Sequence, residues 1–509
     1  MAKYVMLQGT SSNVGKSVMA AALCRIFSQE GIRVAPFKAQ NMALNSYVTK
    51  SGGEMGRAQV VQAEAAGIEP QVEMNPVLLK PMANSNAQVI VMGKPLANMT
   101  AGDYFRARSL QMWDKVTDAL KVLDGSYELL VIEGAGSPAE INLKANDIVN
   151  MKVARHLKAP VLLIADIDRG GAIAYLVGTL ELLDEEERKL VKGFIINKFR
   201  GDKSLLQPAV DFLEKKTGKP VLGIVPYISR LNIDAEDSLA LEELKAQSGN
   251  GDVKIAVVQT PQISNFTDFD SLAAESDVSL YYASDAESLG DPDVIILPGS
   301  RNTVADLQYI RAVGLEKKIK ELLEKETSYL IGICGGYQML GKRLLDPGHI
   351  ESAYDSIDGI GLLDLVTTFG ADKYTSQVEA VCTDLLFAGQ KISSAGLYGY
   401  EIHMGDTVFG HEAEPHPLRV VKCLQGESNR AEGTVRADGR VFGTYIHGIF
   451  DNDEFRRAII NAVRINKGLP ALTDKRNTKA EKQRSYNRLA DAVRESLDMV
   501  KIRRIIGFE

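Results

Sequence analysis

The chain has 509 residues, 45% of them hydrophobic and 25% charged, with a formal net charge of −7. That length exceeds what one hydrophobic core serves and predicts about three domains or fewer. The acidic balance argues against a nucleic-acid partner, which needs a concentrated basic surface, and no apolar run approaches the ~18 residues of a membrane helix.

No signal-peptide pattern opens the chain, so a cytoplasmic protein is expected. Its four cysteines, Cys24, Cys334, Cys382 and Cys423, are widely separated and lack metal-ligand spacing. They point to free thiols in a reducing compartment. The composition neither requires nor excludes a homo-oligomer.

In the first half, short apolar runs rich in Val, Ile and Leu occupy residues 4–7, 33–37, 129–132, 161–165, 193–197 and 221–225. Helix-length segments lie between them, which predicts a parallel sheet covered on both faces and an α/β class. Residues 17–28 carry the helical period, with Met19, Leu23, Ile26 and Phe27 on one stripe.

The first run leads into Gly9-Thr10-Ser-Ser-Asn13-Val14-Gly15-Lys16-Ser17 and then that helix. Glycines there let backbone N–H groups face phosphates, Lys16 neutralises charge, and the Ser17 hydroxyl can ligate Mg²⁺. The ordinary phosphate loop has four residues between its glycines; here five separate Gly9 from Gly15. A ligand-free glycine turn is the bland alternative, and the strand before and helix after favour nucleotide binding.

Farther along, Pro36-Phe-Lys38-Ala-Gln40-Asn41-Met-Ala-Leu-Asn45-Ser46 would place ammonium and amide groups beside that loop. They suit a substrate rich in carboxylates and amides, although asparagines and serines also cap helices. The run ending at Glu133 continues as Gly-Ala-Gly136, an acid and a glycine turn at a strand end, the edge where open α/β sheets bind ligands.

Residues 246–252, Ala-Gln-Ser-Gly-Asn-Gly-Asp, are the best linker candidate. They divide a domain at 1–245 from one at 252–450, where runs at 254–258, 294–297 and 329–333 begin a second αβ series. In it, Gly332-Ile-Cys334-Gly335-Gly336 joins an apolar run to a helical one. Small residues around a sharp strand-to-helix turn expose a nucleophile at the helix's positive end, which lowers a thiol's pKa. The Gly335 N–H can stabilise an oxyanion.

A thiol nucleophile needs a base. His447, at the end of a short β-like run, is the first candidate and His403 the second; His156, His349, His411 and His416 sit in frames that ordinary surface or core roles explain. Residues 451–509 turn charged and helical. Leu489, Val493, Leu497 and Val500 predict one amphipathic closing helix, packed on the second domain, with Arg484, Arg488, Lys501, Arg503 and Arg504 toward its ends.

The phosphate loop and the glutamate strand end resemble dethiobiotin synthetase and its relatives, which phosphorylate a small-molecule carboxylate. That resemblance implies ATP contacts from Gly9, Thr10, Asn13, Val14, Gly15, Lys16 and Ser17, an adenine contact from Asn197, and Mg²⁺ on Ser17 and Glu133. The thiol elbow and His447 resemble the triad-type glutamine amidotransferases, which implies Cys334 as nucleophile, His447 as base, and oxyanion donors at Gly335 and at Gly299 in Leu297-Pro-Gly-Ser-Arg301. One departure stands out. Most of that family carry a glutamate two residues after the histidine, where this chain has Ile449.

The pairing of the two halves resembles the corrinoid amidases of cobalamin biosynthesis. The stretches at 36–46, 165–171, 197–202 and 400–405 favour the branch that forms cobyric acid over the branch that forms the a,c-diamide. The resemblance implies ATP- and glutamine-dependent amidation of carboxylates b, d, e and g of adenosylcobyrinic acid a,c-diamide. A corrinoid substrate would then meet Lys38, Gln40, Asn41, Asn45, Asp166, Asp168 and Arg169. Partition-type ATPases share the deviant loop, but they carry a lysine near its start, and this chain has none between Gln8 and Gly15.

Overall fold

The computed structural model describes residues 1–81, 86–100, 110–229, 231, 233–234, 251–410, 415–473 and 476–508. The linker candidate at 246–250 and His411 lie outside the described residues.

All six apolar runs of the first half become strands of one parallel sheet: β1 (Lys3–Gly9), β2 (Val34–Phe37), β3 (Leu129–Glu133), β4 (Val161–Asp166), β5 (Val191–Phe199) and β6 (Val221–Pro226). Their order is β6-β5-β4-β1-β3-β2, with Met6 opposite Val161 and Lys3 opposite Leu129. β1, β3 and β4 are buried along nearly their whole length, which is why they read as continuous apolar runs rather than alternating ones. The predicted helix forms as α1 (Lys16–Gln29), with Met19, Leu23, Ile26 and Phe27 all buried, and α2 (Arg57–Ala66) follows β2 in the chain.

The second sheet is built from β7 (Val253–Val258), β8 (Val278–Ala283), β9 (Val294–Leu297), β10 (Tyr329–Ile333) and β13 (Val441–Thr444), parallel in the order β8-β7-β9-β10-β13. Between β10 and β13 the chain makes a long antiparallel hairpin, β11 (Leu365–Phe387) and β12 (Gln390–Phe409). An antiparallel bridge between Tyr400 and His447 ties that hairpin to the end of β13.

The closing segment corrects the expectation of a single helix on the second domain. Only its first part belongs there: α4 (Asp453–Asn466) buries Phe455, Ile459, Ile460 and Val463 in the second core. Two further helices, α5 (Thr478–Ser496) and α6 (Met499–Ile506), return to the first domain, where Tyr486, Leu489, Val493, Ile502 and Ile506 share a core with α1 and β6. A parallel sheet needs both faces covered, and these helices cover the α1 side. The helix breaks at Leu497, Asp498 caps the next one by accepting from the Lys501 N–H at 3.0 Å, and Val500 turns to solvent at 52% exposure.

Candidate active site

Two sites form at the carboxyl ends of the two sheets, where open α/β sheets gather their loops. In the first, β1 ends at Gly9, where a Cβ would lie 2.6 Å from Val14 Cγ2. The loop closes at Gly15, φ 99°, which caps α1 in the left-handed region that glycine tolerates. Lys16 Nζ donates to the carbonyls of Ser11 (2.9 Å) and Gly136 (3.0 Å), so the ammonium stands between the phosphate loop and the turn after β3.

At the end of β3, Glu133 is buried and accepts from Ser17 Oγ at 2.8 Å, Lys38 Nζ at 2.9 Å and Gln62 Nε2 at 2.6 Å. Ser17 and Glu133 thus offer a hydroxyl and a carboxylate side by side. That hard-oxygen pair fits Mg²⁺, which keeps waters and takes its remaining ligands from substrate phosphates. Among the described residues no cluster of three or more His, Cys, Asp or Glu offers a closed metal cage instead.

These residues open on a cavity of about 740 Å³, whose wall includes Asn13, Gly15, Lys16, Ser17, Lys38, Gln40, Asn41, Glu133 and Arg169. Other residues singled out in the sequence fall differently. Thr10 donates its N–H to the Ile164 carbonyl at 2.9 Å. Asn197 lies beneath the loop, its amide donating to the Val14 carbonyl at 2.8 Å. Next to it Lys198, absent from the sequence-derived set, lines the cavity and donates to the Asn13 carbonyl at 2.7 Å. Asp166 pairs with Lys198 at 3.0 Å and Asp168 with Arg200 at 3.2 Å, so both acids are engaged in ion pairs beside the cavity.

Asn45 requires a correction. It is completely buried and faces the second domain, where its Oδ1 accepts from the Phe266 N–H at 3.1 Å. The next residue does the same: the Ser46 N–H donates to Asn265 Oδ1 at 3.1 Å. The reason is topological, because the chain has left the cavity wall by residue 44 and entered the domain interface.

In the second site Cys334 joins β10 to α3 (Gly335–Leu340) with φ 52° and ψ −108°. A non-glycine residue held at positive φ is strained, and here the strain turns the thiol out of the strand. Close packing requires glycines around it. A Cβ on Gly299 would sit 3.0 Å from His447 Cε1, one on Gly335 2.9 Å from the Ser300 nitrogen, and one on Gly336 2.1 Å from the Leu297 oxygen. Cys334, His447, Gly299 and Gly335 are thereby brought together.

His447 has the carboxylate partner that its following residues do not supply. Nδ1 lies 2.6 Å from Asp268 Oδ2, and the Gly448 N–H donates to Asp268 Oδ1 at 3.0 Å. The imidazole also stacks on Tyr400, centroids 5.2 Å apart. Burial pulls His447 down, but the charges of Asp268 and Cys334 and hydrogen bonds to both more than offset it, holding the imidazolium up to about 10. His403 also lines the Cys334 pocket, yet burial pushes it down to about 4 and its Nδ1 sits 3.2 Å from the Gly405 carbonyl. His447 has the geometry of the base.

Such an arrangement, a thiol paired with an imidazole that a buried carboxylate orients, performs acyl transfer through a covalent intermediate. Residues 254–455 match the family described as the CobB/CobQ-like glutamine amidotransferase domain, and residues 5–240 match the CobQ/CobB/MinD/ParA nucleotide binding domain. The whole chain aligns with the cobyric acid synthase of Moorella thermoacetica at 52% identity, covering 100% of this chain and 98% of the relative. The chain belongs to the cobyric acid synthase family. The same holds against the cobyric acid synthases of Pelotomaculum thermopropionicum, 51% identical over 100% of this chain and 97% of the relative, and Dehalococcoides mccartyi strain CBDB1, 48% identical over 100% and 99%. Within that family the chain is an enzyme that joins a glutamine amidotransferase domain to a nucleotide binding domain.

Proposed function

We propose that the protein amidates the b, d, e and g side-chain carboxylates of adenosylcobyrinic acid a,c-diamide, using ATP, Mg²⁺ and glutamine, in cobalamin biosynthesis. ATP gives its γ-phosphoryl group to a substrate carboxylate, leaving ADP and an acyl phosphate. The Cys334 sulfur attacks the glutamine side-chain amide, and His447 passes its proton to the departing nitrogen. Ammonia leaves, a thioester remains for water to hydrolyse to glutamate, and the ammonia displaces phosphate to form the new amide.

Lys16 would bind the phosphates, with Gly15 and the start of α1 giving backbone N–H groups. Mg²⁺, held by Ser17 and Glu133, would supply charge neutralisation at the phosphates. Lys38, Gln40, Asn41 and Arg169 line the space beside them and suit carboxylate and amide side chains.

The observation that carries this reading is the path of residues 38–46. Lys38, Gln40 and Asn41 stand on the cavity wall, while Asn45 and Ser46 bond Phe266 and Asn265, next to the carboxylate that orients His447. One short segment therefore touches the site that would activate a carboxylate and the site that would release ammonia.

Mass spectrometry of products tests it. The purified protein with ATP, Mg²⁺, glutamine and the a,c-diamide should convert carboxylates to carboxamides, and Cys334→Ala should lose this with glutamine yet keep it with ammonia. Equal loss with both nitrogen donors removes the division of labour, and an unchanged corrinoid with either donor removes the substrate.

A further inference from the structure

The pocket that opens on Cys334 is walled by both domains. Arg301, Glu351 and Lys373 of the second domain share it with Lys80 and Gln88 of the first. Its charges are uneven. Lys80 donates to Glu54 at 2.8 Å and to Ser46 Oγ at 3.0 Å, while Lys373 takes the other Glu54 oxygen at 2.6 Å. One carboxylate thus serves two lysines. Glu351 accepts from the Thr303 N–H at 2.7 Å, and burial pushes it up to about 8, so it subtracts little charge at neutral pH.

Arg301 adds a third cation and is incompletely used. Its Nη2 donates to the neutral Gln262 Oε1 at 3.1 Å, whereas Nε and Nη1 are buried with no hydrogen-bond partner among the described residues. Buried donors on a guanidinium are costly unless something completes them. A glutamine whose amide carbon reaches Cys334 carries an anion at its far end, and Arg301 is suited to carboxylates.

We propose that Arg301 is the receptor for the α-carboxylate of the glutamine attacked by Cys334, with Lys80 of the first domain closing the same corner. The proposal rests on Cys334 being the glutaminase nucleophile. It adds that the glutamine pocket is complete only when the two domains are docked, because Lys80 arrives from the synthetase half.

The test compares L-glutamine with 4-aminobutanamide, which keeps the amide and the ammonium but lacks the carboxylate. Arg301→Gln should raise KM for glutamine about 30-fold with a much smaller change in kcat, as loss of a charge-assisted bond does. Arg301→Lys should recover part of it, and Lys80→Gln should raise KM by roughly five-fold, the scale of a weaker charged contact. Towards 4-aminobutanamide, Arg301→Gln and the parent should hydrolyse alike. Alkylation of Cys334 by iodoacetamide at the parental rate reports an intact pocket. An unchanged KM for glutamine, or an equal loss with both donors, overturns the assignment. A parent protein that hydrolyses no glutamine removes the placement of glutamine at Cys334, and the carboxylate receptor with it.

Discussion

Nδ1 of His447 and Oδ2 of Asp268 stand 2.6 Å apart although 179 residues separate them in the chain. The second oxygen of Asp268 is fixed by the Gly448 N–H, so the carboxylate is held at both ends and the imidazole has one orientation. An acid in this position sets the tautomer and stabilises the imidazolium formed during proton transfer. The acid that the sequence lacks at position 449 is thus supplied by the loop after β7.

Asp268→Asn should lower glutamine hydrolysis by about 10²- to 10⁴-fold, the range of triad disruption. Asp451→Asn should be nearly silent, because Asp451 is bonded to Ser271 and not to His447. Glutamate release by each variant, with folding checked by circular dichroism, separates the two acids. Near-parental turnover in Asp268→Asn would mean that the contact is structural only.

The same pair predicts a pH dependence. His447 is held up to about 10, above its ordinary 6.5. A raised pKa contributes stability that is fully present below 6.5, persists through neutrality, and is lost as pH rises through about 10. Denaturant unfolding of parent and Asp268→Asn between neutral and alkaline pH should show a steeper alkaline loss in the parent. Parallel slopes would mean that Asp268 does not hold the proton on His447.

Much of this was legible in the sequence because the relevant signals are local. A buried parallel strand needs a continuous apolar run, so all six strands of the first sheet stand at the expected places. The phosphate loop and the thiol elbow are strand-turn-helix units whose glycines cluster within a few residues, although the atoms that exclude a side chain at Gly15, Gly335 and Gly336 come from Asn197, Ser300 and Leu297. Asp268 was illegible because its role depends on the end of β7 meeting the end of β13, and no spacing encodes that. Its one signal is position, in a loop at the carboxyl edge of the second sheet. Asn45 misleads for a related reason, since its amide is equally suited to a substrate or to the Phe266 backbone. The closing helices show a similar ambiguity. An amphipathic stripe declares that it will be covered, and only the tertiary fold says by which domain.

Leu489 and Val493 are buried with α1, the helix that follows the phosphate loop. Leu489→Ala should cost about 2–5 kcal/mol, the usual range for a buried leucine. The loss should fall on the first domain: thermal stability and synthesis with ammonia should drop, while hydrolysis at saturating glutamine survives, with a raised KM because Lys80 leaves its pocket, at temperatures where synthesis has failed. Loss of both activities in step would mean that the two domains unfold as one unit.

Lys16 gives the complementary separation. Its ammonium is held by the Ser11 and Gly136 carbonyls at 2.9 and 3.0 Å, on the wall of the large cavity and far in sequence from the thiol. If that cavity takes the nucleotide, removing the ammonium leaves charge on the transferring phosphoryl group unbalanced in the transition state, worth about 10²-fold or more. Lys16→Ala should therefore abolish synthesis with glutamine and with ammonia alike, since neither nitrogen donor can react with an unactivated carboxylate. Basal glutamine hydrolysis should remain, because Cys334, His447 and Asp268 all belong to the other domain. Lys16→Arg, which keeps the charge but changes its shape and reach, should recover little. Product formation and glutamate release, followed in the same reactions, read both halves at once. Amide synthesis with ammonia in Lys16→Ala at the parental rate would remove the phosphate loop from the reaction.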